Sequence, residues 1–154
     1  MRRLFGFLLA GALLMLPAFS HGGTALAQTA PQKTTYTGDM VLVAYAVNAD
    51  KTADYEQVIA QLKDALTKSA KPEAKQQLAG WKVMKNAMAQ PDGSFVYVHV
   101  INPVVPDADY SITNIVYEVV KDAGEQKAFF EKYRGALKAA MFQLSGPITA
   151  DLSH

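Results

Sequence analysis

The chain has 154 residues, no cysteine and a net charge of +1 at neutral pH. This balanced charge lacks the basic footprint of a nucleic-acid-binding domain, and without cysteine the chain can form neither a disulfide nor a lipid-modified thiol. A single domain accounts for a chain of this length.

The first 27 residues have the pattern of a secretory signal peptide. Arg2 and Arg3 precede an apolar run from Leu4 to Phe19, and a small-residue cleavage sequence, ALA, follows at residues 25–27. The apolar run is shorter than the roughly 18 residues that favour a membrane-spanning helix. We therefore predict that residues 1–27 are removed on export to the periplasm or the extracellular space, with no membrane association afterwards. Cleavage leaves 127 residues and changes the net charge from +1 to −1.

A polar segment follows the predicted cleavage site. Residues 28–38 contain a proline and no apolar periodicity, which is typical of a flexible leader, so we place the single folded domain at residues 39–154. At the start of this domain, the sequence MVLVAYAV at residues 40–47 is continuously apolar and rich in β-branched side chains. Such a run predicts a first strand that is buried on both faces.

Helical periodicity follows the first strand. Between Ala53 and Ala70, apolar residues recur along one stripe, which predicts a long amphipathic helix. A second, short helix is predicted over residues 71–80, because Pro72 suits the first helical position and Gly80 suits the helix end.

The middle of the chain has the pattern of a β-hairpin. The sequence PDG at residues 91–93 supplies the fixed φ, the side-chain acceptor and the positive φ of a tight turn. This turn joins predicted strands at residues 81–88 and 94–101. Pro103 ends the second of them, because proline cannot donate to a sheet ladder.

Two helical segments and a strand complete the chain. Apolar residues recur at helical spacing from Ile112 to Val120, with Asp107 and Asp109 as candidate N-caps. A second helix with an aromatic stripe is predicted to begin at the N-cap Asp122. The last predicted strand spans residues 141–148, which alternate weakly between apolar and polar side chains.

The resulting element order is β-α-β-β-α-β, so we predict an α+β domain of the ferredoxin-like class. In this arrangement right-handed crossovers place the helices on one face of a four-stranded antiparallel sheet. The strands at residues 40–47 and 94–101 are apolar on both sides, so the face without helices would expose a larger apolar patch than monomers usually show. We therefore predict a homodimer in which two open sheet faces pack into a barrel.

Four stretches support a resemblance to a known family: DYEQVIAQLKDAL, LAGWKVMKNA, SFVYVHVINPV and FFEKYRGAL. Together with the element order, they make the chain similar to members of the dimeric α+β barrel superfamily, which includes the antibiotic-biosynthesis-type monooxygenases. The chain also resembles a group of exported bacterial proteins of that type. The resemblance covers roughly Asp39 to Leu152 and implies a fold and a dimer, but it carries no catalytic signature.

One histidine lies inside the predicted strands. Apart from the terminal His154, His99 is the one histidine of the processed chain, so any imidazole acid-base role falls on it. A lone strand histidine is also compatible with a hydrogen-bonded core position, and no clustered metal ligands accompany it. By strand alternation Tyr97 shares its sheet side, and Tyr45 and Trp81 can join from neighbouring strands. We take His99 as the candidate catalytic residue and the three aromatic residues as candidate binding residues of a small-molecule pocket.

The family resemblance also bears on cofactors. Some haem-degrading relatives use an Asn, Trp and His set, and Asn48, Trp81 and His99 are residues of these types here. Those relatives carry the histidine on a helix, whereas His99 lies on a predicted strand, so we expect no cofactor and no metal. Two functions stay open. One is a non-catalytic dimer that binds a small apolar or aromatic molecule or serves as a structural module, and the other is a cofactor-independent monooxygenase-like enzyme with His99 as acid/base.

Overall fold

The computed structural model describes residues 32–152 of the chain. The predicted signal peptide at residues 1–27 and the first part of the predicted leader lie outside the described residues. The described part begins with an irregular segment that leads into the first strand at Met40.

Four antiparallel strands form a single sheet. Their bounds are β1 Met40–Val47, β2 Trp81–Lys85, β3 Phe95–Ile101 and β4 Leu137–Gly146. The strands lie in the order β2-β3-β1-β4. The continuously apolar β1 and β3 occupy the centre, where each pairs with a strand on both edges. The predicted α+β class and four-stranded antiparallel sheet are confirmed, and the arrangement is compatible with a ferredoxin-like fold.

Four helices accompany the sheet. Their bounds are α1 Thr52–Lys68, α2 Ala74–Gly80, α3 Ile112–Val119 and α4 Ala123–Ala136. A short 3₁₀ turn, Ala49–Lys51, joins β1 to α1. Helix α1 packs against the other three helices, so the four helices form one layer.

One predicted helix cap is confirmed and another is wrong. The side chain of Asp122 accepts the backbone N–H of Glu125 at 2.8 Å and caps α4 as predicted. Helix α3 is capped by Ser111 instead of an upstream aspartate. Asp109 lies two residues too early for this role, and its carboxylate accepts the backbone N–H of Ser111 at 2.9 Å.

Two strands differ from their predicted bounds. β2 ends at Lys85 instead of Met88, because Lys85 is the last residue that pairs with β3 and a loop follows it. β4 begins at Leu137, earlier than the predicted start at Met141, and it follows α4 without a loop. The LKAA sequence at residues 137–140 favours helix by propensity, yet pairing with β1 draws it into the sheet.

The hydrophobic core lies between the helix layer and one face of the sheet. The helix side of this core comprises Val58, Leu62, Leu66, Ile115, Val116 and Phe129. The sheet side comprises Val41, Val43, Val47 and Ile101. Tyr55 of α1 is fully buried and connects the two sides, because it packs against Val47 and Ala136.

The opposite face of the sheet is apolar and partly exposed to solvent. Leu42 of β1 and Val98 of β3 are half-buried there. Met84 is 57% exposed, Phe142 is 44% exposed and Leu144 is 60% exposed. These side chains point away from the helix layer, so the two-sided apolar pattern leaves an uncovered patch. We call this surface the open face. Within residues 32–152, no helix combines the length and the apolar character that crossing a bilayer requires.

Candidate functional site

A cavity of about 130 Å³ lies between the sheet and the helix layer. Its floor is the helix-facing side of β1 and β3, and its roof comprises the first turn of α3 and the last turn of α4. Val43, Ile101 and Ile112 give it apolar surface. Its six aromatic side chains are Tyr36, Tyr45, Trp81, His99, Tyr110 and Tyr133. We call this space the aromatic cavity.

Strand register brings three of these side chains to the same side of the sheet. His99 on β3 lies opposite Val43 on β1, and Tyr45 is two residues further along β1. Trp81 begins β2, two residues before Val83, which is the β2 partner of His99. Because side chains alternate between faces, Tyr45, Trp81 and His99 all point toward the helices.

A glycine determines where Trp81 enters the sheet. The backbone N–H of Asn102 donates to the carbonyl oxygen of Gly80 at 2.9 Å. A Cβ atom at Gly80 would lie 2.9 Å from the carbonyl oxygen of Pro103, which is closer than real Cβ contacts allow. The absence of a side chain therefore lets the start of β2 approach the end of β3, and this approach places Trp81 beside His99.

His99 is held by hydrogen bonds at both ring nitrogens. The indole N–H of Trp81 donates to Nδ1 at 3.0 Å, and Nε2 lies 2.7 Å from the hydroxyl oxygen of Tyr55. Because an indole nitrogen can only donate, Nδ1 carries no proton. The neutral ring therefore has its proton on Nε2 and donates it to Tyr55.

Burial keeps the His99 ring neutral. The residue is 1% exposed, and desolvation lowers its pKa from 6.5 to about 4. A second ring proton on Nδ1 would face the N–H of Trp81, so protonation would break that hydrogen bond. The basic lone pair of His99 is thus already occupied, and the ring can accept a proton from a substrate only after Trp81 moves away.

Tyrosine hydroxyl groups occupy another part of the cavity wall. Those of Tyr45 and Tyr133 are close enough for each to influence the pKa of the other. Burial, with smaller effects from the Tyr45 and Tyr110 hydroxyls, raises the pKa of Tyr36 to about 12. Burial also raises the pKa of Tyr45 and of Tyr133. These phenols stay protonated at neutral pH, and no lysine, arginine, aspartate or glutamate within residues 32–152 lines the cavity.

Residues 32–37, which we call the N-terminal strap, border the mouth of the cavity. The backbone N–H of Tyr110 donates to the carbonyl oxygen of Thr34 at 2.7 Å. The rings of Tyr36 and Tyr110 lie 5.3 Å apart between centroids. The strap thus contributes Thr34 and Tyr36 to the cavity wall although it forms neither a helix nor a strand.

Asp109 ties the strap to the start of α3. One of its carboxylate oxygens accepts the backbone N–H groups of Thr34 and Ser111 at 3.0 and 2.9 Å. The other accepts the amide of Asn114 at 2.8 Å, and this amide also donates to the carbonyl oxygen of Gln32 at 3.1 Å. Asp109 is 9% exposed and takes part in no salt bridge within residues 32–152. A buried negative charge therefore lies beside the cavity mouth.

The structure brings together three of the four residues that the sequence singled out. Tyr45, Trp81 and His99 line the same cavity, whereas Tyr97 lies outside its lining. The hydroxyl group of Tyr97 donates to Glu56 at 2.7 Å. Burial raises the pKa of Tyr97, and the bond to Glu56 raises it further. Tyr97 thus joins the sheet to the surface of α1 instead of facing the cavity.

Other cavity residues escaped the sequence analysis. Tyr36 and Tyr110 lie in irregular segments, and Tyr133 lies on a helical stripe that reads equally well as core. Nothing in the sequence distinguishes these tyrosines from the other tyrosines near the predicted strands. Asn48 lies elsewhere, because its amide donates to the carbonyl oxygens of Gly135 and Ala136 at 3.3 and 3.4 Å.

Neither metal ligation nor similarity to known proteins identifies the site. Residues 32–152 contain no group of three or more His, Cys, Asp or Glu side chains placed to hold a metal ion. Comparison with protein-family models, with curated proteins and with solved structures gives no match to this chain. The site must therefore be interpreted from its own geometry.

Proposed function

We propose that this chain is an exported homodimeric protein that binds one small, largely apolar molecule in the aromatic cavity. The observation that carries this proposal is the cavity itself, which has six aromatic walls and no charged side chain within the described residues. Apolar and aromatic linings with a few polar groups are the usual composition of small-molecule sites.

The cavity volume limits the size of the ligand. Drug-sized ligands occupy pockets of roughly 300–1,000 Å³, whereas an engineered apolar cavity of about 150 Å³ accepts benzene. At about 130 Å³, the aromatic cavity suits a group no larger than one six-membered ring. A larger ligand would place its remaining atoms in the mouth, next to Thr34, Ser111 and Thr113.

Binding fits the hydrogen bonds of His99 better than catalysis does. An acid/base role needs a nitrogen that can exchange a proton with a substrate. Here Nδ1 accepts from Trp81, and Nε2 is bonded to Tyr55, which is itself fully buried. The alternative of a monooxygenase-like enzyme with His99 as acid/base therefore requires Trp81 to release the ring, and we rank it second.

The open face supports the dimer. A standard interface buries about 800 Å² on each partner and has an apolar centre. Apolar side chains from all four strands lie on this face, and Met84, Phe142 and Leu144 are among its exposed members. Packing two open faces together would remove these side chains from water and form the barrel that we predict from the sequence.

Element order and strand order support assignment to the ferredoxin-like class. The two strands that open the β-α-β units, β1 and β3, are neighbours in the sheet. The last strand, β4, pairs with β1, so each helical crossover spans one intervening strand. Export is supported by the signal-like pattern of residues 1–27, and removal of that segment is tested by the mass of the secreted chain.

Fluorescence of Trp81 tests the binding proposal, because it is the one tryptophan of the chain. We expect cyclohexanol to change its emission saturably in the processed protein. Thr113→Phe should abolish the change, because Thr113 lines the cavity and a phenyl group would fill it. Thr67→Phe, at an exposed position of α1, is the matched control and should respond like the parent chain. Equal responses in both variants would contradict the proposal.

A further inference from the structure

We infer that the group which enters the aromatic cavity is a small organic cation of the methylated ammonium class. This inference rests on the proposed function, because it names the ligand chemistry of the same cavity. A methylated ammonium group is about as large as one ring, and its surface consists of methyl groups that share the positive charge.

The arrangement of the rings is that of a cage. The Tyr45 and His99 rings lie 5.6 Å apart at an interplanar angle of 89°. The Trp81 and Tyr110 rings lie 5.5 Å apart at 62°, and Trp81 meets His99 at 59°. Rings at such angles around a common space form walls instead of a stack. Aromatic faces carry the negative part of the ring quadrupole and attract cations within about 6 Å.

The cavity holds no positive charge that would oppose a cation. His99 is neutral at pH 7 because burial lowers its pKa to about 4. The phenols of Tyr36 and Tyr133 keep their protons because burial raises the pKa of both. The aromatic walls are therefore neutral, and an anionic ligand would find no cationic side chain among the described lining residues.

The carboxylate of Asp109, next to the cavity mouth, adds a negative electrostatic potential that favours a cation. Asp109 is bound by the neutral donors of Thr34, Ser111 and Asn114. Lys71 interacts with Asp109 only as a weak coulombic effect, and its ammonium group is paired with Glu118. The negative charge of Asp109 is therefore not cancelled by a direct ion pair, and it favours a cation at the mouth over a neutral molecule of the same shape.

Choline and 3,3-dimethylbutan-1-ol form the pair of probes for this inference. The two molecules have the same shape, but the alcohol carries a carbon atom where choline has its charged nitrogen. Calorimetric titration of the processed protein should show that choline binds at least about tenfold more tightly than the alcohol, as two or more cation–π contacts predict.

Variants of Tyr36 separate a ring effect from a hydroxyl effect. Tyr36 is half-buried in the strap, so its replacement spares the core. Tyr36→Phe should keep the preference for choline, whereas Tyr36→Leu should reduce it several-fold. Tyr117→Leu, on α3 outside the cavity lining, is the matched control and should leave the preference unchanged.

The outcomes distinguish this inference from the proposed function. If the alcohol binds as tightly as choline, the cation inference is wrong and small-molecule binding stands. If neither probe binds and cyclohexanol does not bind either, both proposals are wrong. If Tyr36→Leu leaves the preference for choline unchanged, the aromatic cage is not the cause of that preference and the inference is wrong.

Discussion

Trp81 donates its indole N–H to Nδ1 of His99 across 3.0 Å, and this bond determines the chemical state of the histidine. It fixes the tautomer and occupies the basic lone pair, while burial lowers the pKa of the ring and keeps it neutral. A buried histidine that is held neutral in this way contributes a pH-dependent stability, which can be measured without knowledge of the ligand.

We predict that the free energy of unfolding falls as pH drops below 6.5. The pKa of His99 is about 4 in the folded chain and near 6.5 when unfolded, so the full contribution is present above 6.5. Between these values the unfolded state binds the proton first, and stability falls by up to about 1.4 kcal/mol per pH unit. Urea unfolding of the processed chain from about pH 5 to about pH 7 measures this slope, because that range includes the upper part of the interval between the two pKa values.

His99→Phe should flatten that slope, and His154→Asn should not. Carboxylates with a lowered pKa, such as Glu56, add their own loss of stability only as pH falls through their ordinary value of 4.5. The change in stability above pH 4.5 therefore reports on His99. An unchanged slope in His99→Phe would show that burial of this ring does not govern the pH response.

Asp109→Asn should loosen the strap. The carboxylate accepts three hydrogen bonds, from Thr34, Ser111 and Asn114, and an amide group can accept fewer of them. We expect a loss of about 1–3 kcal/mol in unfolding free energy and faster hydrogen exchange at the amide of Thr34. Asp107→Asn is the control, because Asp107 is exposed and its φ of 59° is a conformation that asparagine tolerates. Equal hydrogen exchange at the Thr34 amide in both variants would show that Asp109 does not hold the strap in place.

Two glycine-to-alanine exchanges should change the stability of the fold in opposite directions. Gly80→Ala puts a methyl group 2.9 Å from the carbonyl oxygen of Pro103, so we expect a lower melting temperature and displacement of Trp81. Gly135→Ala adds a methyl group with no neighbour within 4 Å inside α4, where alanine stabilises a helix by roughly 0.5–1 kcal/mol. Thermal unfolding compares the two variants, and destabilisation of similar size in both would refute the close approach at Gly80.

Phe142→Glu should convert the proposed dimer to a monomer. Phe142 lies on the open face opposite Ala44 of β1, and a carboxylate buried there would lack a partner. Phe130→Glu on α4 is the matched control, because Phe130 has a similar exposure of 42% but lies on the helix side. Light scattering at micromolar concentration should give the dimer mass for the parent and the control only. A parent chain that is already monomeric would overturn the dimer proposal.

Most of the fold was readable from apolar periodicity. The run at residues 40–47 matches β1, and the stripes beginning at Ala53 and Ile112 match α1 and α3 closely. Periodicity failed at β4, where Ala139 and Ala140 have helical propensity and only pairing with β1 makes them a strand. Local signals cannot report such long-range pairing.

Only part of the site could be predicted from the sequence, because long-range contacts place the rest. Strand alternation alone left open whether Tyr45 and Trp81 share the sheet side of His99, and the strand register brings both of them there. Alternation also placed Tyr97 there, but the cavity lies toward the other end of β3, and Tyr97 reaches Glu56 instead. Tyr110 and Tyr36 enter from irregular segments, whose positions depend on the hydrogen bonds of Asp109 and Thr34 and not on any period.

The indole N–H resonance of Trp81 tests the central claim most directly. The chain has one tryptophan, so one indole peak reports on both the bond to His99 and the lining of the cavity. Titration of the nitrogen-15-labelled processed protein with choline and with cyclohexanol should move this peak saturably in the parent and leave it in place in Thr113→Phe. A peak that stays fixed in the parent chain with both probes, up to their solubility limits, would contradict binding in the aromatic cavity.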